Sequence, residues 1–138
     1  MSIQTFDEFI RSEIEKPFVW GETDCCSTAN RWVHKVTGKS PLDIYGRKHS
    51  NEEGARKWLS ENGGIVTAIN NVMKSAEIPE TKRPFCGDIG IIIIYENMAC
   101  MALNTKNSWF TRNESGIIVA PHTVHVLKAW KICPELSR

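Results

Sequence analysis

The sequence lacks an excess of charge of either sign. Seventeen lysines and arginines stand against sixteen aspartates and glutamates among 138 residues, which leaves a net charge of +1. Proteins that bind nucleic acid by neutralising phosphates usually carry a clear basic excess or stripe. We therefore expect no nucleic-acid partner.

Long apolar runs are also missing. The longest, Ile89 to Tyr95, has seven residues, whereas a membrane-spanning helix needs about 20. The first residues include Asp7, Glu8 and Glu13 and contain no apolar signal-peptide core. We therefore expect no membrane span, and a protein that stays in the compartment where it is made.

Cysteine pairs at C-x-x-C spacing are absent as well. The five cysteines include the adjacent Cys25 and Cys26, and an odd number of cysteines fits free thiols in a reducing cytosol. Four-cysteine zinc sites normally show two close pairs. His122 and His125 are three residues apart, so on a strand they point to opposite faces and would not chelate one ion together. We expect no disulfide framework, no metal and no other cofactor.

What the sequence does have is an ordinary apolar content of 41% and a change of pattern near Lys82. Helical spacing dominates before this point and strand-like runs follow it, which predicts one α+β domain over residues 1–138. We predict four helices, of which the first covers 6–15 and the second runs from the N-cap Asp24 to Gly38. The third runs from a Ser50/Glu53 capping box to Gly63-Gly64 and buries Ala55, Trp58 and Leu59. The fourth covers 67–76. The predicted strands cover 89–95, 99–103, 108–111, 116–119 and 124–132.

Cys25 is the residue with the most direct chemical meaning. A thiol in the first turn of a helix is close to the positive end of the dipole and to free backbone N–H groups, which favour the attacking thiolate form. The alternative is a small buried cysteine packed beside Ala29 and Trp32. Cys26 lies about 100° further round the helix and is predicted to point away from Cys25 as a bystander.

A cysteine nucleophile needs an imidazole within hydrogen-bond reach. His34 lies nine residues along the same helix, about 13 Å from Cys25, and is excluded. His49 falls in a loop and is expected at the surface. His122 and His125 belong to the strand half of the chain, from which a partner for a cysteine at a helix start would have to come. We therefore predict that His122 or His125 is the base.

The segment Pro17-Phe18-Val19-Trp20-Gly21, followed by Asp24-Cys25, resembles the P-[Y/F]-x-W-G…D-C signature of NlpC-like cell-wall cysteine peptidases, a branch of the papain fold. With the later Tyr45-Gly46, Gly87-Asp88 and Ala129-Trp130, nearly the whole chain looks like a small phage and prophage family of unknown function allied to that fold. The resemblance implies an NlpC-like, papain-like fold, with N-terminal helices packed on an antiparallel C-terminal sheet of about five strands.

Carried over residue by residue, the resemblance makes Cys25 the nucleophile and places Phe18, Trp20 and Gly21 beside the substrate. Asp88 matches a turn or cap residue at the start of the first core strand. The implied histidine should begin the next strand, but that strand reads Met98-Ala99-Cys100-Met101. Cys26 and Ser27 also depart from the family's usual D-C-S-G.

Three functions follow as alternatives. The first is a cysteine hydrolase, a peptidase or amidase that acts on peptidoglycan peptides and is delivered by a phage tail. The second is a catalytically degenerate module that contacts phage tail proteins during assembly or at the tail tip. The third is an acyl-transfer or acyl-binding protein that uses Cys25 without hydrolysis. The expected location is the bacterial cytoplasm or a phage tail.

Overall fold

Five helices precede five strands along the chain. The structure, a computed structural model, describes residues 3–46 and 51–132. The helices are α1 Ile3–Ile14, α2 Cys25–Thr37, α3 Pro41–Tyr45, α4 Glu52–Glu61 and α5 Ile65–Ser75. The strands are β1 Ile89–Ile93, β2 Ala99–Asn104, β3 Trp109–Asn113, β4 Gly116–Ala120 and β5 Val126–Trp130.

The ends of α2 agree with the prediction because both depend on local chemistry. Asp24 is the N-cap and its side chain accepts a hydrogen bond from the Ser27 amide at 2.9 Å. Gly38 ends the helix at φ +80°, a left-handed conformation that costs glycine little. α5 starts two residues before its predicted start, after Gly64, and buries Ile69 and Val72 as expected.

Two helical predictions need correction. α4 is capped by Asn51, which accepts the Gly54 amide at 2.7 Å, whereas the predicted cap Ser50 lies outside the described residues. The predicted buried stripe of α4 is only half-buried, because one side of this helix borders a cavity. α3 was not predicted, since five residues between Pro41 and Gly46 are too few to show helical periodicity.

The strands form one antiparallel sheet in the order β4-β3-β2-β1-β5. The predicted α+β class and five-stranded antiparallel sheet are confirmed. β1 ends at Ile93, two residues before the predicted end, because Tyr95–Asn97 forms a short turn with positive φ at Glu96 and Asn97. β5 is shorter than the predicted 124–132 by two residues at each end.

The sheet has two differently covered faces. On the helix face, Ile91, Met101 and Phe110 join the core with side chains from α1, α2 and α5. The opposite face, called here the outer face, buries a smaller cluster around Ile92 and Trp109. α2 packs on β2, and its first residue, Cys25, touches both clusters. The start of α2 therefore meets the sheet at β2.

None of the helices in the described part of the chain is long and apolar enough to cross a bilayer.

Candidate active site

The loop before α2 is held by two short polar side chains. Thr23 Oγ1 donates to the Pro17 carbonyl at 2.7 Å and accepts from the Val19 amide at 2.6 Å. The second carboxylate oxygen of Asp24 accepts the Gly21 amide at 2.6 Å, and Gly21 turns the chain at φ +85°. Thr23 and Asp24 are both buried. The motif residues between Pro17 and Asp24 therefore form one braced turn that presents Cys25 at the helix start.

Cys25 is half-buried at the first position of α2. Hydrogen bonding by the Cys26 thiol lowers the pKa of Cys25, and the Met101 and Cys26 backbones act in the same direction. Burial and the nearby Asp24 carboxylate oppose them, but the net pKa of Cys25 is lowered. The thiolate is thus favoured mainly by the Cys26 thiol, a donor that the sequence argument from the helix start did not include.

Cys26 is not the bystander that its helical angle predicted. Its thiol hydrogen-bonds with Cys25, and both cysteines line the same cavity. At the first turn of a helix a side chain can lean over the open end, so an angle of about 100° does not separate two neighbouring sulfurs. The adjacency of the two cysteines was the signal in the sequence for this contact.

An apolar cavity of about 230 Å³ opens over Cys25. The walls are lined by Trp20 from the braced loop, by Trp58 and Leu59 from α4, and by Met98, which directly precedes β2. Of the three residues predicted to bind substrate, Trp20 alone lines this cavity. Phe18 packs edge-on against Trp20 with ring centroids 5.0 Å apart, and Gly21 acts through its hydrogen bond to Asp24.

His122 is placed at the other end of β2. Its Nε2 lies 3.1 Å from the carbonyl oxygens of Thr105 and Ser108, so this nitrogen carries the hydrogen and donates to both. Thr105 is four residues beyond Met101, which amounts to about 13 Å along an extended chain. His122 lines a different cavity, and nothing brings it to the sulfur of Cys25.

The two other histidines that the structure describes, His34 and His125, do not line the cavity either. The backbone carbonyl of His125 accepts the Ile93 amide at 2.9 Å, and its side chain is exposed. His34 lies in the last turn of α2, and His49 lies outside the described residues. Among the described residues that line the cavity there is no imidazole. The position where the resemblance implies a histidine is occupied by Met98 and Ala99, which are apolar parts of the wall.

One protein-family model matches almost all of the chain. Residues 3–132 match the profile of a family described as "Domain of unknown function (DUF6950)". The chain belongs to this family. No curated protein and no solved structure matches the chain. The matched DUF6950 region includes the braced loop, both cavity cysteines and all five strands, so the site lies inside the family's domain.

Asp88 has a structural place in this DUF6950 chain. Its fully buried carboxylate accepts the Phe85 amide at 2.8 Å and the Ile132 amide at 3.0 Å. Burial raises the pKa of Asp88, against the effect of these hydrogen bonds. The carboxylate therefore ties the turn before β1 to the chain that leaves β5, as expected of a turn or cap residue.

The described residues offer no ready metal centre. Within 3–46 and 51–132, no group of three histidine, cysteine or carboxylate side chains is close enough to hold an ion. Four cysteines there are free thiols, and burial raises the pKa of Cys100 to about 12. The fifth, Cys133, lies outside the described residues. The cavity is therefore lined by two thiols, Cys25 and Cys26, together with the charged side chains of Asp24 and Arg56.

Proposed function

We propose that this protein is a cysteine hydrolase of papain-like fold with Cys25 as its nucleophile. The supporting observation is the thiol at the start of α2, with its lowered pKa, facing an open apolar cavity. The resemblance of the Pro17–Cys25 segment to cell-wall peptidases supplies the substrate class, an amide bond in a peptidoglycan peptide. The apolar walls suit a small apolar acyl group beside the scissile carbonyl.

The acylation step uses groups at the helix start. Cys25 Sγ attacks the carbonyl carbon, a C–S bond forms, and the π electron pair moves to the carbonyl oxygen. Backbone N–H groups at the start of α2 are the donors for this oxyanion, because the first N–H groups of a helix have no partner within it. The C–N bond then breaks, and the leaving nitrogen needs one proton.

Among the described residues of the cavity wall, we assign this proton to Cys26. Its thiol hydrogen-bonds with Cys25, so it can give its hydrogen to the leaving amine as the acyl-enzyme forms. Water then gives a proton to the Cys26 thiolate while its oxygen attacks the thioester, and Cys25 departs as a thiolate. Cys26 thus has the role that the resemblance assigns to a histidine, and each proton is accounted for.

Alkylation tests the activated thiol directly. At about pH 6, well below the ordinary thiol pKa of about 8.5, iodoacetamide should modify Cys25 at least about tenfold faster than Cys86. Cys86 is the internal control, because burial raises its pKa. Peptide mapping by mass spectrometry measures both rates in one sample. Equal rates at Cys25 and Cys86 would remove the nucleophile from the proposal.

Turnover tests the two cysteines separately. We expect Cys25→Ala to abolish hydrolysis of soluble peptidoglycan peptides. Cys26→Ala should slow amide hydrolysis by about 10²- to 10⁴-fold, the usual value of general acid help. Hydrolysis of a matched thioester should suffer less, because a thiolate leaves without a proton. Equal losses on the amide and the thioester would exclude Cys26 as the proton donor.

A second candidate is a non-catalytic module of the same fold that contacts phage tail proteins. The apolar Met98 and Ala99, at the position where the resemblance implies a histidine, favour it. This function requires that a phage carrying Cys25→Ala assembles and infects normally. A loss of infectivity with an intact fold would contradict the module and support the hydrolase. Either function operates in the bacterial cytoplasm or in the phage tail.

A further inference from the structure

A second and larger cavity, of about 510 Å³, lies on the outer face of the sheet. Trp109 of β3 and residues 126–129 of β5 line it from the sheet, and residues of the segment 80–84, which runs beside β5, complete the lining. Its volume falls within the usual range for small-molecule sites. It is separate from the Cys25 cavity, with which it shares no lining residue.

Asn104 is the unusual residue of this cavity. It pairs with Trp109 across the two strands, so both side chains point to the outer face. Asn104 is 5% exposed, and its backbone N–H and C=O are bonded to Asp88 and Gly87. Its carboxamide makes no hydrogen bond with the described part of the chain. The carboxamide atoms are not among the buried side-chain atoms without a partner in the described residues, so they meet the open space of the cavity and can bond to a ligand there.

The charged side chains at the mouth of the cavity indicate the sign of the charge that the ligand carries. Lys82 and Lys128 both approach Glu80, with Nζ to carboxylate oxygen distances of 3.7 and 3.3 Å. All three side chains line the cavity. Two ammonium groups share one carboxylate, so one positive charge is left over. The nearby His122 already donates its Nε2 hydrogen to two carbonyls. A ligand with one negative charge fits this balance.

We propose that the outer-face cavity binds a carboxylate that carries an adjacent amide, as at the C-terminal residue of a peptide or in an N-acyl amino acid. The carboxylate lies at Lys82 and Lys128, and the ligand amide pairs with the Asn104 carboxamide, which can donate and accept at once. The apolar surface of Trp109, Val126 and Ala129 receives the side chain. This site works independently of Cys25.

NMR titration with N-acetyl-alanine tests the site, with N-acetyl-alanine methylamide as the uncharged control. We expect saturable shifts at the Asn104 side-chain amide and the Trp109 indole, with affinity for the neutral probe at least about tenfold lower. Lys82→Gln, at a side chain that is exposed to solvent, should largely remove this preference. The absence of saturable shifts up to about 20 mM probe would overturn the proposal.

Asn104→Leu separates a ligand-binding role from a structural one. Because the carboxamide has no protein partner, the variant should keep or raise the melting temperature while affinity for N-acetyl-alanine falls at least about tenfold. Unchanged affinity, or a melting temperature lowered by more than about 4 °C, would overturn the proposal. A third probe, N-acetyl-trialanine, distinguishes the two sources: tighter binding identifies a peptide C-terminus, and equal binding identifies an N-acyl amino acid.

Discussion

At the scale of single residues, the behaviour of Cys25 is decided by its nearest donors and acceptors. The Cys26 thiol and the Met101 backbone lower its pKa, whereas burial and the Asp24 carboxylate raise it. Cys26 and Asp24 are sequence neighbours, but Met101 is brought to the sulfur only when β2 packs beneath α2. The neighbouring Cys26 thiol is therefore the main cause of the lowered pKa of Cys25, and the tertiary contact with Met101 adds to it.

Cys26→Ala should raise the pKa of Cys25, because it removes the leading cause of the lowered value. The rate of alkylation at Cys25, followed from about pH 5 to pH 9, should then reach its midpoint at a higher pH than in the wild type. Cys26→Ser is the matched control, since a hydroxyl can still donate to the thiolate. An unchanged midpoint in Cys26→Ala would show that the neighbouring thiol does not set the pKa.

Asp88→Asn should lower the free energy of unfolding by about 1–3 kcal/mol, because the new NH₂ group cannot accept one of the two backbone N–H groups. The folded-state pKa of Asp88 is raised, so its protonation stabilises the fold at low pH, and this contribution is lost as the pH rises through the folded pKa. The deficit of the variant should therefore be larger at about pH 4 than at pH 7. Urea unfolding at both pH values measures it, and a deficit that shrinks in acid contradicts this account.

At the scale of elements, the braced loop and α2 act as one unit. Asp24 accepts a hydrogen bond from Ser27 inside the helix and another from Gly21 outside it, so one carboxylate joins the loop to the helix start. Arg112 of β3 performs a comparable task for α1, because its guanidinium donates to the carbonyls of Glu13 and Lys16 at 2.8 and 2.6 Å. Each hydrogen bond of Asp24 joins residues three apart in the sequence, whereas those of Arg112 join residues almost a hundred apart.

Asp24→Ala should destabilise the protein by about 1–3 kcal/mol, since the helix loses its cap and the loop loses its anchor. Asp24→Asn should cost less, because its Oδ1 can still accept the Ser27 amide. The same Asp24→Asn change removes a negative charge that raises the pKa of Cys25, so alkylation of Cys25 should extend to lower pH. Denaturant midpoints and alkylation profiles test both effects, and a fully stable Asp24→Ala variant would refute the role of the cap.

The predicted elements are accurate where their ends depend on local signals and less accurate where they do not. The ends of α2 were predicted because Asp24 and Gly38 are local signals, and the strands because β-branched runs are bounded by turn residues. The cap at Asn51 and the short α3 were missed, since several polar residues in a row leave the cap ambiguous and five residues show no periodicity. The end of β1 depends on positive φ at Glu96 and Asn97, which composition did not indicate.

At the scale of the whole molecule, the outer face depends on how three strands pack together. The indole of Trp109 on β3 reaches across β2 to Gly90 on β1, where a Cβ atom would lie 2.9 Å from the ring. Ala102, on the strand between, belongs to the same buried cluster. Small side chains on β1 and β2 therefore leave room for one large side chain, which in turn forms a wall of the outer-face cavity.

Gly90→Ala should destabilise the protein by about 1–3 kcal/mol, the usual cost of overpacking. The new methyl group would meet the Trp109 ring and, at 3.0 Å, the backbone oxygen of Lys128. Trp109→Leu provides the matched background: if the ring is the main obstacle, the double variant loses less than the sum of the two single variants. Strict additivity of the unfolding free energies would show that the indole is not what excludes the methyl group.

The sequence by itself determined the α+β class, the start and end of α2, and the position of Cys25 at a helix start, because capping groups, glycines and alternating apolar residues act over a few residues. Only the tertiary structure decided what faces that cysteine. It brought Met98, Trp58 and Trp20 around the sulfur, turned Cys26 toward it, and placed His122 at the far end of β2. These contacts join residues that are far apart in the chain, and their geometry follows from strand register and helix packing, which no short stretch of sequence specifies.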